Sequence, residues 1–150
     1  MTGSRHSRCV NRAGAPYLWE WYRDGVARTV DTELDNCLND CCTTQSEYEM
    51  RQAEVRQRMR RAEQGALAQD SSELGPISQH PTIWEMRWQW DGGSTPLRLY
   101  HAEPAHRPEL LLALHFHVKS VVGGYAEVTA AQNAEISIAV TRFDTWSRQA

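Results

Sequence analysis

Hydrophobic and polar residues alternate in three runs between Ile83 and Lys119, and the rest of the chain is read around them. The runs are Ile83–Trp90, Pro96–His101 and Glu109–Lys119, separated by Asp91-Gly92-Gly93-Ser94 and by a loop. Aromatic and aliphatic runs broken by Gly and Pro predict an antiparallel meander. Successive side chains along a strand point to opposite faces. Trp84, Met86, Trp88 and Trp90 therefore share one face, and Glu85, Arg87 and Gln89 the other. In the third run Leu110, Leu112, Leu114, Phe116 and Val118 fall opposite Leu111, Ala113, His115, His117 and Lys119. One side of the sheet is predicted core; the other gathers Arg87, Arg98, His115, His117 and Lys119.

Upstream, Tyr17, Trp19 and Trp21 alternate as in a strand that Asp24-Gly25 ends. The period then changes. Val26, Val30, Leu34, Leu38 and Cys41 recur at helical spacing, with Cys37 alongside. Thr44-Gln45-Ser46-Glu47 fits a capping box, and Tyr48, Val55, Met59, Ala62 and Ala66 form the stripe of a second helix that Gly65 closes. Residues 69–81 read as a loop. A last helix is predicted from Thr129, with Ile136, Ala139, Val140 and Phe143 inward. The unpatterned residues 1–15 are expected to be a mobile tail, and residues 16–150 a single α+β domain.

Composition adds bounds. A chain of 150 residues, 41% hydrophobic and 23% charged, suits one globular domain. No apolar run approaches the roughly 18–20 residues of a transmembrane helix, and no apolar stretch follows Arg5 and Arg8 as in a secretory signal, so a cytoplasmic location is expected. The net charge of −3 disfavours a surface that grips nucleic acid throughout but permits a local basic patch. Fifteen of the sixteen basic residues are Arg; the single Lys is Lys119, beside the two histidines.

Trp84-Glu85-Met86-Arg87 resembles the "Leu/Tyr-Trp-Glu-Leu-Arg" strand of HigB/RelE-type toxins, in the branch that includes phage-derived proteins. Leu97-Arg98-Leu99-Tyr100 resembles that family's "Tyr-Arg-Val-Leu" strand, and Leu112 to Ser120 its "Leu-Leu-His-Gly-Phe-x-Lys-Lys" strand. The early Trp19-Glu20-Trp21-Tyr22 strand, Gly65 and a closing helix with Ala139 and Arg142 follow in the family's order, so the resemblance spans Tyr17 to Trp146. It implies a RelE-like fold, a small antiparallel sheet with two N-terminal helices packed on one face and a C-terminal helix. It further implies the toxin of a type II toxin–antitoxin system, a ribosome-dependent mRNA endoribonuclease. The implied partners are an antitoxin, often with a helix-turn-helix domain, and mRNA on the ribosome; direct DNA or membrane binding is not expected. Where the family often carries two adjacent lysines, this chain has His117-Val118-Lys119, and His101 stands where the family often has Tyr.

RNA cleavage through the 2′-hydroxyl needs a base, an acid for the leaving 5′-oxygen, and cations for the charge that builds on phosphate. No metal or cofactor is expected. His117, Lys119, Arg87 and Arg98 are the expected catalytic residues: guanidinium grips phosphate bidentately, and imidazole exchanges protons near neutrality. His115, His101 and Glu85 are the expected substrate contacts. The competing class is a non-catalytic, phage-derived protein-binding module on the same fold. An open, positive patch around Arg87, Arg98 and Lys119 favours the nuclease; filling by Glu85, Glu103 or Glu109 favours the module.

Three further features admit two readings each. Cys37 and Cys41 are either free thiols, as expected of all four cysteines, or metal ligands with His6 or His80, although the paired spacing of zinc sites is lacking. Arg51, Arg56, Arg58, Arg60 and Arg61 are either a solvated face with local ion pairs or an RNA-binding helix. Trp84, Trp88 and Trp90 are either core or a base-stacking platform.

Overall fold

The computed structural model describes residues 6–68, 72–120 and 122–149. Among the described residues five strands form one mixed sheet: β1 (Leu18–Trp21), β2 (Leu74–Pro76), β3 (Ile83–Trp90), β4 (Thr95–Ala102) and β5 (Leu110–Val118), in spatial order β1-β5-β4-β3-β2. The meander β3-β4-β5 is antiparallel, and β1 adds parallel to β5. The helices are α1 (Thr29–Cys41), α2 (Gln45–Glu63) and α3 (Tyr125–Gln149).

Tryptophan fixes where α2 goes. The indole N–H groups of Trp19, Trp88 and Trp90 donate to the Met59 carbonyl (2.9 Å), the Glu54 carbonyl (3.4 Å) and the Glu54 carboxylate (2.7 Å). The aromatic face is therefore core against α2, with Trp84 and Trp88 almost fully buried. Arg58 lies over the Trp88 ring and donates to the Arg87 carbonyl, while Arg51 stacks on Trp90 and pairs with Asp91 at 2.9 Å. Those two arginines are structural, and the expectation of a solvated face with local ion pairs describes Arg56, Arg60 and Arg61, the last paired with Glu73 at 3.0 Å. At the N-terminus of α2 the Thr44 hydroxyl accepts from Glu47 N–H, and Glu47 accepts from Thr43 N–H.

α1 departs from the expected pair on one face. β1 covers β5 only from Leu110 to Ala113, so Phe116 has a backbone N–H on an open edge. α1 lies along that edge, and its Glu33 carboxylate accepts this N–H at 3.3 Å. α3 covers the opposite face from α2: Trp146 donates to Glu20 (2.6 Å) and Arg142 to the Leu114 carbonyl (2.8 Å). It also begins at Tyr125, a turn earlier than the capping pattern at Thr129 suggests.

A β-bulge alters β5. Tyr100 pairs with His115 but His101 pairs with Ala113, which leaves Leu114 as the extra residue. An extra residue shifts the alternation beyond it. Leu110 and Leu112 thus face α3, on the side of His115 and His117, and do not share the Phe116 face.

The mobile tail expected over residues 1–15 does not describe residues 6–15; residues 1–5 lie outside the described part. Residues 8–10 and 12–14 form two 3₁₀ turns, and Cys9 is fully buried. The Arg8 guanidinium donates to the carbonyls of Pro104 (2.6 Å), Arg107 (2.9 Å) and Leu110 (2.6 Å). Gly65 has φ +63°, and a Cβ there would lie 2.3 Å from the Asn11 carbonyl oxygen, so its lack of a side chain lets this segment seat on the end of α2. The predicted 69–81 loop contains β2, a three-residue edge strand too short to show a period.

Candidate functional site

Strand alternation brings Glu85 and Arg87 of β3, Arg98 and Tyr100 of β4, and His115 and His117 of β5 onto the α3 side of the sheet. Register sets them in two rows, Glu85–Tyr100–His115 and Arg87–Arg98–His117. Glu85 Oε1 lies 2.6 Å from Arg87 Nε and 3.6 Å from Arg98 Nε. The second distance is beyond hydrogen bonding, and the buried Arg98 Nε has no hydrogen-bond partner among the described residues. Gly75 on β2 makes room for the Arg87 guanidinium: a Cβ there would lie 2.3 Å from Nη2.

The imidazoles of His115 and His117 are nearly parallel, at 8° and 5.5 Å between centres, and the Tyr100 ring stacks beside them. His117 Nε2 lies 3.2 Å from the Tyr100 hydroxyl. Burial lowers the His117 pKa to about 4, the Glu135 charge opposing and the His115 charge assisting, so the ring is neutral at pH 7. Burial, then the Glu85 charge, raises the Tyr100 phenol and keeps it protonated. His115 Nδ1 lies 2.8 Å from Glu33, and its Nε2 pairs with Glu135. For Glu33, burial alone would raise the carboxyl, but His115 and Arg142 outweigh it and hold it below the usual range.

The patch is closed. Gln132 of α3 approaches Glu85 at 3.3 Å, and Glu85, Arg98, His115 and His117 are all buried. Of the acids named from sequence, Glu85 fills the patch. Glu103 lies on the α2 side with His101, and Glu109 pairs with Arg107 at the surface. Glu33 and Glu135 were invisible to sequence reasoning because α1 and α3 deliver them from 82 and 20 residues away.

His101 does not join the other substrate-contact candidates. It is fully buried on the opposite face, edge-on to Trp19, beside Cys9 and Glu103. Lys119 follows the end of β5 with its N–H on the Pro96 carbonyl, and its side chain has no hydrogen bond or ion pair among the described residues. A cleft of about 560 Å³ between α1, β5 and α3 opens beside His115 and His117, with Cys37 and Cys41 on its wall. All four cysteines are free, and His80 packs on Phe143, away from that wall.

The low pKa of His117 has a consequence for stability. Above about pH 6.5 the ring is neutral both folded and unfolded, and nothing is lost. Between about pH 6.5 and 4 only the unfolded chain takes the proton, so stability falls with falling pH. At ~1.4 kcal/mol per pH unit the loss reaches about 3 kcal/mol near pH 4. Glu33 and Glu103, whose folded pKa values are depressed, add their losses below the ordinary carboxylate range. Thermal melts of wild type and His117→Gln across pH 4–8 should show a shallower decline for the variant; parallel curves would remove His117 as the cause.

Comparison with protein-family models, curated proteins and solved structures returned no match.

Proposed function

We propose that the chain is a RelE-like toxin, an endoribonuclease that cleaves mRNA on the ribosome through the RNA's own 2′-hydroxyl. The observation that carries this is the row Arg87–Arg98–His117: two guanidiniums and a neutral imidazole side by side on one sheet face. The succession of strand, helix pair, meander and closing helix, with the short edge strand β2 placed before the meander, supports the RelE-like arrangement.

In this reaction His117 Nε2 takes the 2′-hydroxyl proton, and the 2′-oxygen attacks phosphorus. Arg98 and Arg87 hold the non-bridging oxygens as charge builds on them. Arg98 Nε, without a hydrogen-bond partner in the closed site, is the donor available to that charge. Lys119 gives its proton to the departing 5′-oxygen, leaving a 2′,3′-cyclic phosphate. Glu85 orients the two guanidiniums, and His115 borders the substrate.

RNA reaches these groups only when the first turns of α3 move aside. Those turns, residues 125–135, are exposed or half-buried, whereas Ile136, Ala139 and Trp146 anchor the rest of the helix. Replacing Gln132 and Glu135 with Ala removes the polar contacts of the first turns of α3 to Glu85 and His115. The double variant should cleave RNA several-fold faster than wild type with nearly the same melting temperature. Equal rates would show that α3 does not gate the site.

A second reading, the non-catalytic protein-binding module, is favoured by one observation: Glu85, Glu33 and Glu135 fill the patch. An antitoxin is the partner proposed with the nuclease, docking on the exposed Arg56 and Arg60 of α2. Co-expression with the neighbouring gene product should give a stable complex; recovery of free, harmless protein favours the module.

A further inference from the structure

On the side of the sheet facing α2, three side chains from distant parts of the chain converge. Cys9 comes from the N-terminal 3₁₀ turn, His101 from β4, and Glu103 from just past the end of β4. Cys9 and His101 are fully buried, and the Glu103 side chain is 6% exposed. Cys9 Sγ is 3.6 Å from His101 Nε2 and 3.9 Å from Glu103 Oε2, and His101 Nε2 is 3.0 Å from the same Oε2. The three donor atoms face one another in a closed triangle. A cysteine–histidine–carboxylate relay needs the two histidine nitrogens to serve different partners. Here Nε2 meets both partners, and the buried Nδ1 has no hydrogen-bond partner among the described residues.

We infer that Cys9, His101 and Glu103 form a binding site for a divalent, borderline-soft metal ion, zinc above all. Tetrahedral zinc, with bonds of about 2.3 Å to sulfur and about 2.0–2.2 Å to nitrogen and oxygen, sets sulfur about 3.6 Å from the other donors and nitrogen about 3.4 Å from oxygen. The observed distances of 3.6, 3.9 and 3.0 Å each fall within about 0.4 Å of these values. The donor set of thiolate, imidazole and carboxylate is one zinc favours. Charge closes as well: a thiolate and a carboxylate neutralise the dication, and neutral imidazole adds nothing. Supporting contacts orient the ligands. The Arg8 N–H holds Glu103 Oε1 at 2.8 Å, leaving Oε2 to the site, and the Ser7 hydroxyl, bonded to Oε2, is the neighbouring oxygen for a fourth position.

Without metal, burial and the Glu103 charge push the Cys9 thiol well above its ordinary range. Zinc therefore displaces a proton: the S–H bond breaks, an S–Zn bond forms, and one H⁺ leaves to solvent. Bound metal clamps the 3₁₀ turn to the end of β4, closing a loop of more than ninety residues.

The full chain, stripped with a chelator and refolded under reduction, is titrated with zinc and separately with cobalt. Wild type should take up one equivalent, release about one proton and melt at a higher temperature. Cys9→Ala and Glu103→Gln should each weaken uptake by more than the roughly 10- to 100-fold that loss of an outer-shell partner costs. A variant with Cys37, Cys41 and Cys42 all changed to Ala retains only Cys9, and should keep both the zinc uptake and a thiolate-to-cobalt charge-transfer band. That variant decides the matter even if Cys9→Ala and Glu103→Gln do not fold. Absence of stoichiometric uptake by folded wild type, or loss of the cobalt band in the triple variant, overturns the assignment. So does uptake undiminished in Cys9→Ala or Glu103→Gln.

Discussion

Arg87→Ala and Lys119→Ala each lower RNA cleavage by about 10²- to 10³-fold, equivalent to ~2.7–4 kcal/mol of barrier, while the protein melts close to wild type. The barrier rises because a developing phosphate charge loses one charge-assisted contact. Stability holds because neither cation is core. The Arg87 side chain is 30% exposed, and when it goes Glu85 keeps the hydrogen bond from Gln132 at 3.3 Å and the Arg98 charge at 3.6 Å. Lys119 lies outside the strand and has no side-chain hydrogen bond or ion pair among the described residues to lose. Arg98 calls for a different substitution. Unlike Arg87 its side chain is itself buried, so deleting it leaves a hole in the packed site and also takes a charge away from the buried Glu85, which is strongly destabilising in its own right. Arg98→Lys keeps the charge but removes the planar fork, so it should reduce activity with less cost to folding. Full activity in both Arg87→Ala and Lys119→Ala, with normal melting, would place the site elsewhere.

Trp88→Ala is the opposite case. Trp88 is 2% exposed, packs near Phe116, donates to the Glu54 carbonyl and lies under the Arg58 guanidinium. Truncation leaves a cavity between β3 and α2 that the surrounding side chains fill only in part. The expected loss is about 3–5 kcal/mol, or roughly 10 °C in melting temperature for a chain of this size. Activity should fall only in proportion to the unfolded fraction. A variant that stays folded at the assay temperature yet loses cleavage would mean that the tryptophan face, and not the Arg87–Arg98–His117 row, meets RNA.

Most of the sheet was legible because alternation is a local signal. Trp84, Met86, Trp88 and Trp90 face α2, and Arg87, Arg98, His115 and His117 face the other way, as their parity in sequence requires. The β5 bulge was not legible, since nothing in Leu-Leu-Leu-Ala-Leu marks which residue is extra. The buried N-terminal segment escaped for a related reason. Ser7, Arg8 and Cys9 carry no period, and their partners Glu103, Pro104 and Leu110 lie about a hundred residues away. The cations of the candidate site could be read along two strands and their hydrogen-bonded neighbour. Its acids could not, because Glu33 and Glu135 arrive from helices whose placement depends on the tertiary fold. His101 carries the same lesson in reverse. By sequence it belonged with His115 and His117, but one step of alternation puts it through the sheet beside Cys9.

The chemistry of the cut ends tests the central claim most directly. Purified wild type is incubated with a defined mRNA, both free and on programmed ribosomes, and the new termini are identified. Attack by the 2′-hydroxyl predicts 5′-hydroxyl ends facing 2′,3′-cyclic phosphate or its opened 3′-phosphate, strongest on the ribosome and about 10²- to 10³-fold fewer with Arg87→Ala. Intact mRNA in both settings, or cuts bearing 5′-phosphate and 3′-hydroxyl, would contradict it.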